Sequence, residues 1–446
     1  MEARKKHLIR AAVFLCIFLV LFYAMARFGS HHPENRVYQS IGGFYREPEN
    51  TLHGVYIGSS NCYAFWNPLV AWHNYGLAIY PFSCGSLPFC ATEYIMRDVR
   101  KTQPDAVFVV NVNSVEADDL SGAAIHRTVN YMPDSANKEA LINYLSDLKG
   151  YSRIRRLEFR FPWVRTREYW FSLLRSGPLK LDGLKATSKY DRYLNKISDI
   201  SAKYILTEQR SGVPDALAES TRKLLDYCDA EGIRVLFVSV PRAERNEHAL
   251  GRINTVCDLI RGRGYEVLYL TDRTGEVGLD LTQDFYNKKH TNIHGSIKVT
   301  NFITEHLIER FGLRDRRGDA AYASWDRGWE KYAKKLAPCI LDIELDAAGR
   351  DASLPVPAGL SAEKAAEGAA VTVCWEASEG AERYAVYRRD GSKGAWRRIA
   401  ETEGTSWTDE TGEPGRRYAY TVVPMRIAGG GARYGNFDYR GVGVRT

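Results

Sequence analysis

The 446-residue sequence contains no C-x-x-C pair, no glycine-rich phosphate loop and no long run of Lys or Arg. Without paired thiolates a structural zinc site is not expected, and the histidines lack ligand spacing or an accompanying carboxylate cluster, so no metal is expected either. Neither G-x-x-x-x-G-K-[ST] nor G-x-G-x-x-G occurs, which argues against a nucleotide, and no other cofactor is implied. The net charge of +7 is spread over 61 basic and 54 acidic residues, too evenly for a nucleic-acid partner. Low-complexity tracts are missing too. At 45% hydrophobic and 26% charged, the chain has the composition of a folded protein, and its length calls for more than one core. Cysteine is sparse: Cys16 lies in an apolar segment and the seven others show no repeated framework, which excludes a disulfide-stapled scaffold. Only Cys84 and Cys90 are close enough in sequence to bridge a loop.

What is present begins at the N-terminus. Arg4, Lys5, Lys6 and Arg10 precede the uncharged run Ala11 to Ala26, and Arg27 closes it. Basic residues ahead of an apolar segment keep the N-terminus in the cytoplasm and send the rest across the membrane. Leu8 and Ile9 extend the run past Arg10, whose side chain can snorkel. The segment then reaches the length of roughly 17 residues that a bilayer span needs. Residues 1–27 are thus expected to anchor the chain in the cell membrane by a single pass, with its bulk extracytoplasmic. The alternative is a cleaved signal, since Ala24-Met25-Ala26 has the small-x-small form that peptidases cut, and the protein would then be secreted.

Residues 28–50 read as a polar stalk without hydrophobic period. From residue 51 short apolar strands alternate with helical segments. Strands are expected at Val55–Ile57, Leu77–Tyr80, Asp105–Val112, Val235–Val240 and Tyr265–Leu270. Helices are expected at about 67–75, 88–101, 214–230, 249–262 and 295–311. Unbroken β-branched strands separated by helices predict an α/β domain over 51–340: three layers, α/β/α, around a mostly parallel five-stranded sheet. Ser60, Gly85, Asn113 and the loop 284–294 all follow apparent strands, where such sheets place their reactive loops. Residues 115–213 form an insertion rich in Arg and aromatics. Its segment Arg153–Arg175 holds seven arginines among Trp163, Tyr169 and Trp170. Two readings of it stand: a grip on anionic glycan or lipid headgroups, or surface helices that bury the aromatics and leave the arginines solvated. The stretch Tyr322–Leu336 predicts an aromatic-rich helix packed back on the main domain, followed by a linker at 341–354. From 355 to 446 alternating strands and polar turns predict an all-β sandwich. Trp375 and Tyr418-Ala419-Tyr420 occupy the places of the core tryptophan and corner tyrosine of a fibronectin type III module, which this region resembles.

Two segments carry chemistry. VYIGSSN (Val55–Asn61) presents a serine at a strand-to-helix turn, where its hydroxyl is exposed and helix-start N–H groups can hold an oxyanion. DFYNKKHTNIHG (Asp284–Gly295) places His290 before the last helix, with His294 as a competing base. Together these resemble the first and last blocks of SGNH/GDSL hydrolases, in the branch of esterases and acyltransferases acting on cell-surface polymers. The likeness spans roughly residues 50–340 and implies a flavodoxin-like sheet. It makes Ser60 the nucleophile and His290 its base, with Gly85 and Asn113 (Asn111 being its rival) as oxyanion donors beside the Ser60 N–H. Ser59 replaces the family's usual aspartate, and Asn287 stands where it has the carboxylate that orients the histidine. An amide can orient an imidazole but adds no charge, so Asn287 or Asp284 is expected in that role. The implied activity is removal or transfer of acyl groups, acetyl above all, on a cell-wall polymer or exported glycan through an acyl-serine. The contrasting expectation is a catalytically degenerate glycan-binding or envelope scaffold protein.

Overall fold

A computed structural model describes residues 2–29, 36–116, 120–161, 207–242, 247–391, 395–438 and 440–446. The first helix, α1 (Glu2–Gly29), is continuous over 28 residues, and its described apolar side chains are exposed. At 1.5 Å per residue it is about 42 Å long, and its Arg4–Tyr23 portion is long and apolar enough to cross a membrane.

The expected stalk is partly wrong. Residues Arg36–Phe44 form α2, which lies against the sheet rather than in solvent. Ile41 and Phe44, three apart and so on one helix face, are fully buried in the main core, and Phe44 meets Tyr80 and Phe82 edge-on. The Ser40 hydroxyl donates to the Pro81 carbonyl, and the Tyr80 hydroxyl donates to the Ser40 carbonyl.

The main domain is the α/β unit expected. Its strands are β1 (Gly54–Gly58), β2 (Ile79–Ser83), β3 (Val107–Asn111), β4 (Val235–Ser239) and β5 (Val267–Tyr269). They form one sheet in the order β2-β1-β3-β4-β5, and every pairing is parallel. All residues of β1 to β4 are buried, as sheets covered on both faces require. The helices are α3 (Ser60–Phe65), α4 (Pro68–Tyr75), α5 (Thr92–Val99), α6 (Gly122–Val129), α7 (Ala136–Lys149), α8 (Arg153–Arg160), α9 (Asp215–Ala230), α10 (Glu247–Gly262) and α11 (Ile293–Phe311). The second strand starts two residues and ends three residues later than the apolar run suggested, because Pro81 does not end it: a buried parallel partner holds its extended backbone.

The insertion is helical through α6, α7 and α8. Trp163, Tyr169 and Trp170 lie outside the described residues. Within Arg153–Arg160, Phe159 is buried against His126 and Tyr151. Arg155, Arg156 and Arg160 pair with Glu158, Asp147 and Glu139. Arg155 thus pairs within its own helix, while Arg156 and Arg160 meet carboxylates of α7.

The linker expected at 341–354 is also corrected. A 27-residue helix, α12 (Ala323–Gly349), continues through Pro338. Its first half packs on the main domain, where Tyr322 just ahead of it stacks on Trp72 at 5.6 Å and Asp326 accepts from the Trp72 indole. Its second half buries Ala337, Leu341 and Leu345 against the C-terminal domain. One helix thus belongs to both cores. Apolar residues on both its sides override the turn that Pro338 would otherwise favour.

The C-terminal domain is a β-sandwich. One sheet joins β8 (Ser361–Lys364), β9 (Val371–Cys374) and β12 (Ser406–Asp409). The other joins β10 (Arg383–Asp390), β11 (Arg397–Thr402), β13 (Arg417–Ala428), β14 (Gly431–Tyr434) and β15 (Val442–Arg445). Trp375, Tyr384, Val386, Tyr420 and Val422 fill the space between the sheets. The Tyr418 hydroxyl accepts the Glu413 N–H five residues upstream, the contact a corner tyrosine makes. The two short strands β6 (Phe285–Asn287) and β7 (His290–Thr291) form a hairpin at the mouth of the α/β sheet.

Candidate functional site

The order 2-1-3-4-5 reverses direction at β1, and the crevice beyond that strand's carboxyl end is where open α/β sheets place ligands. Gly58 ends β1 opposite Ser83 of β2, so Ser60 and Gly85 each lie two residues beyond a paired position. A side chain at Gly58 would put its Cβ 2.7 Å from the Cβ of Asn111 and 3.0 Å from that of Cys62. Only glycine lets β3 and α3 close around this turn.

Ser60 is the first residue of α3, and its N-cap Ser59 makes no side-chain cap bond. Both Ser60 and His290 are half-buried. The His290 Nε2 lies 3.0 Å from the Ser60 Oγ, although 230 residues separate them. A neutral imidazole with its proton on Nδ1 accepts the serine proton at this distance.

The loop bearing His290 is tied down at both ends. The Thr291 hydroxyl donates to the Ala64 carbonyl of α3 at 2.5 Å, linking the residue beside the base to the helix that starts with the nucleophile. Asn292 caps α11 through Gly295 N–H, and its own N–H donates to the Asp284 carbonyl. A Cβ on Gly295 would stand 2.3 Å from that carbonyl oxygen, which is why the His-x-Asn-x-x-Gly spacing ends in glycine.

Asn287 and Asp284 act on this loop differently from expectation. The Asn287 Oδ1 accepts the backbone N–H groups of Lys289 and His290, so it sets the turn and positions His290 through the main chain. Asp284 is fully buried. Its Oδ2 accepts from Asp280 N–H and Lys298 Nζ, both at 2.7 Å, while its Oδ1 has no hydrogen-bond partner among the described residues. Neither side chain hydrogen-bonds to the His290 ring.

The expected oxyanion donors separate. Gly85 is part-buried, and a Cβ there would make ordinary contacts with the Tyr63 hydroxyl at 3.8 Å and Arg127 Nε at 4.0 Å. Arg127, from α6, brings positive charge to this spot, and the sequence reading missed it because no spacing links α6 to β2. Asn113 is instead spent on architecture. Its amide donates to the Val240 carbonyl and accepts the Val240 N–H, clamping the ends of β3 and β4. Asn111, its rival, accepts Asn113 N–H and lies within 3.5 Å of the Tyr56 hydroxyl. Asn61, next to the reactive serine, is fully buried with neither side-chain atom hydrogen-bonded among the described residues.

Ser86 closes the Cys84–Leu87 turn with φ +59, a left-handed conformation that favours glycine. Ser86→Gly is expected to raise the stability by about 0.5–1 kcal/mol through release of this strain. Thermal melting checks it, and a lower midpoint in the variant would contradict the strain argument.

His294 does not join the pair. It sits near Asp284, Lys298 and the Ile340 carbonyl, and burial lowers its pKa from 6.5. An unfolded histidine binds its proton near that value while the folded one does not, so stability is full above it and declines as pH falls below it. The melting midpoint should fall between pH 7 and 5, and His294→Gln should flatten that fall; an unchanged slope would refute the assignment.

Cys84 and Cys90 form no disulfide, and all eight cysteines are thiols. Among the described residues no group of His, Cys, Asp and Glu is placed to hold a metal.

No protein-family model matches the chain, and no curated protein matches it. Solved structures similar to it match the C-terminal domain. An Fn3-like protein from Clostridium thermocellum shares 28% identity over 19% of this chain and 90% of its own, with a TM-score of 0.17. An FN3 domain of human collagen XX shares 20% over 22% and 98%, with a TM-score of 0.18. The FN5 domain of Drosophila Lar shares 14% over 21% and 96%, with a TM-score of 0.17.

Proposed function

We propose that the chain is an extracytoplasmic serine esterase or O-acyltransferase of the SGNH/GDSL type, acting on acyl esters of a cell-surface or exported glycan. The observation that carries this reading is the 3.0 Å contact between Ser60 Oγ and His290 Nε2 at the carboxyl end of β1. Ser60 attacks the acyl carbonyl as His290 takes its proton. The Ser60 and Gly85 N–H groups receive the oxyanion, with Arg127 adding charge nearby. His290 returns the proton to the leaving alcohol, and the acyl-serine passes to water or to a sugar hydroxyl. Asn113 has no part in this scheme, and Asn287 enters it only by shaping the loop. The apolar helix α1 is read as a membrane anchor, with a cleaved signal as the alternative, and the C-terminal sandwich as a fibronectin type III-like spacer.

Fluorophosphonate labelling of the full chain in detergent tests the reading, because the probe reacts only with an activated hydroxyl. Labelling is expected in the wild type and lost in Ser60→Ala and His290→Ala. A second reading, a glycan-binding relic of the same fold, is favoured by Asn287 standing where the family has a carboxylate. It requires that the folded wild type stay unlabelled.

A further inference from the structure

The sandwich carries a feature remote in sequence from Ser60 and His290. On the outer face of its larger sheet, Arg389 of β10 is paired with Ala419 of β13, and Ala419 with Gly443 of β15. Side chains alternate along strands, so Arg417 and Arg445, direct cross-strand partners one step along, stand on this same face. Arg440 joins them from the loop before β15. The small residues Ala419 and Gly443 leave the floor low, and Arg389, Arg417, Arg440 and Arg445 are among the residues lining a cavity of about 490 Å³.

Two physical facts make this more than a basic surface. Like charges set directly opposite on neighbouring strands destabilise a sheet, yet Arg417 faces Arg445 with no ion pair to either among the described residues. Arg389 is only 7% exposed. Its Nη2 donates to the Arg440 carbonyl at 2.9 Å and its guanidinium lies over Trp396 at 4.5 Å, while Nε and Nη1 have no hydrogen-bond partner among the described residues. A buried cation with unspent donors is costly unless a counter-charge arrives. Burial lowers its pKa, and Asp438 opposes that effect from outside the lining. Asp438 is itself engaged by the Arg440 N–H. No acidic residue lines the cavity among the described residues.

The geometry points to an anion-binding site on the outer sheet of the sandwich, built for a ligand bearing a phosphate or sulfate group. Donors come from four side chains on three strands and a loop, so they suit the several oxygens of a tetrahedral oxyanion better than the two of a carboxylate. Trp396 holds the Arg389 plane in place before any ligand arrives. The site stands independently of the esterase reading, since it shares no residue with it.

Calorimetric titration of the full chain in detergent at low ionic strength tests it, with inorganic phosphate, sulfate and acetate as probes and glycerol phosphate as an organic ester. Phosphate or sulfate is expected to bind saturably, at least tenfold tighter than acetate. Tighter binding of glycerol phosphate than of either inorganic ion would support an ester as the ligand. The double variant R417Q/R445Q changes exposed residues only and should weaken binding at least tenfold. R389Q should do the same, with circular dichroism confirming the fold. Absence of saturable binding, equal affinity in R417Q/R445Q, or acetate binding as tightly as phosphate would each overturn the assignment.

Discussion

Replacing Ser60 with alanine is expected to lower kcat for a small acetyl ester by about 10⁴-fold, or about 5.5 kcal/mol of barrier, while the melting midpoint stays within a degree or two. The size follows from the role: without the hydroxyl no acyl-enzyme forms, and only the oxyanion donors and binding remain. The small effect on stability follows from the position, because Ser60 is half-buried at the first turn of α3 and its Oγ is engaged by His290. His290→Ala should cost a comparable factor, and the double variant no more than either single one, since the two groups act as a unit. Additive losses would mean that each residue contributes separately, as binding groups would. Undiminished turnover in Ser60→Ala would end the assignment of the nucleophile.

The same pair shows what the sequence made legible. Strand-Gly-x-Ser and His-x-Asn-x-x-Gly are local patterns with local causes: Gly58 admits Asn111 and Cys62, Asn292 caps a helix, and Gly295 lies against the Asp284 carbonyl. Each cause acts within a few residues of its effect or through one strand pairing, so residue order alone exposes it. The β-branched strands were readable for a similar reason, since burial on both faces leaves an unbroken apolar run. The misread parts depend on contacts that order does not encode. Whether Ile41 and Phe44 bury depends on a free flank of β2, so α2 looked like a stalk. Leu341 and Leu345 find their partners on the outer face of β10 and β13, so the end of α12 looked like a linker. Asn113 has the residue type of an oxyanion donor, but Val240, brought alongside by the β3–β4 pairing, claims its amide first.

Lys298→Met is expected to destabilise the α/β domain by about 2–3 kcal/mol, below the roughly 3–5 kcal/mol typical of breaking a fully buried pair. Lys298 keeps 39% of its side chain exposed, whereas Asp284 keeps 1%, so the cost falls on the carboxylate left behind. That carboxylate already has one oxygen without a hydrogen bond among the described residues, and the lysine is the cation that offsets it. Neutralising both partners in Asp284→Asn/Lys298→Met removes the stranded charge while keeping an acceptor for the Asp280 N–H, and should recover more than half of the loss. The consequence reaches the reactive pair through the backbone. Asp284 opens the loop whose carbonyl meets Asn292 and Gly295, and the same loop carries His290 to Ser60. Inactivation on heating should therefore precede loss of the sandwich in Lys298→Met, with the double variant shifted back towards wild type. A Lys298→Met midpoint equal to that of wild type would show that Asp284 is held by its backbone contacts alone, and the ion pair would then be incidental to the site.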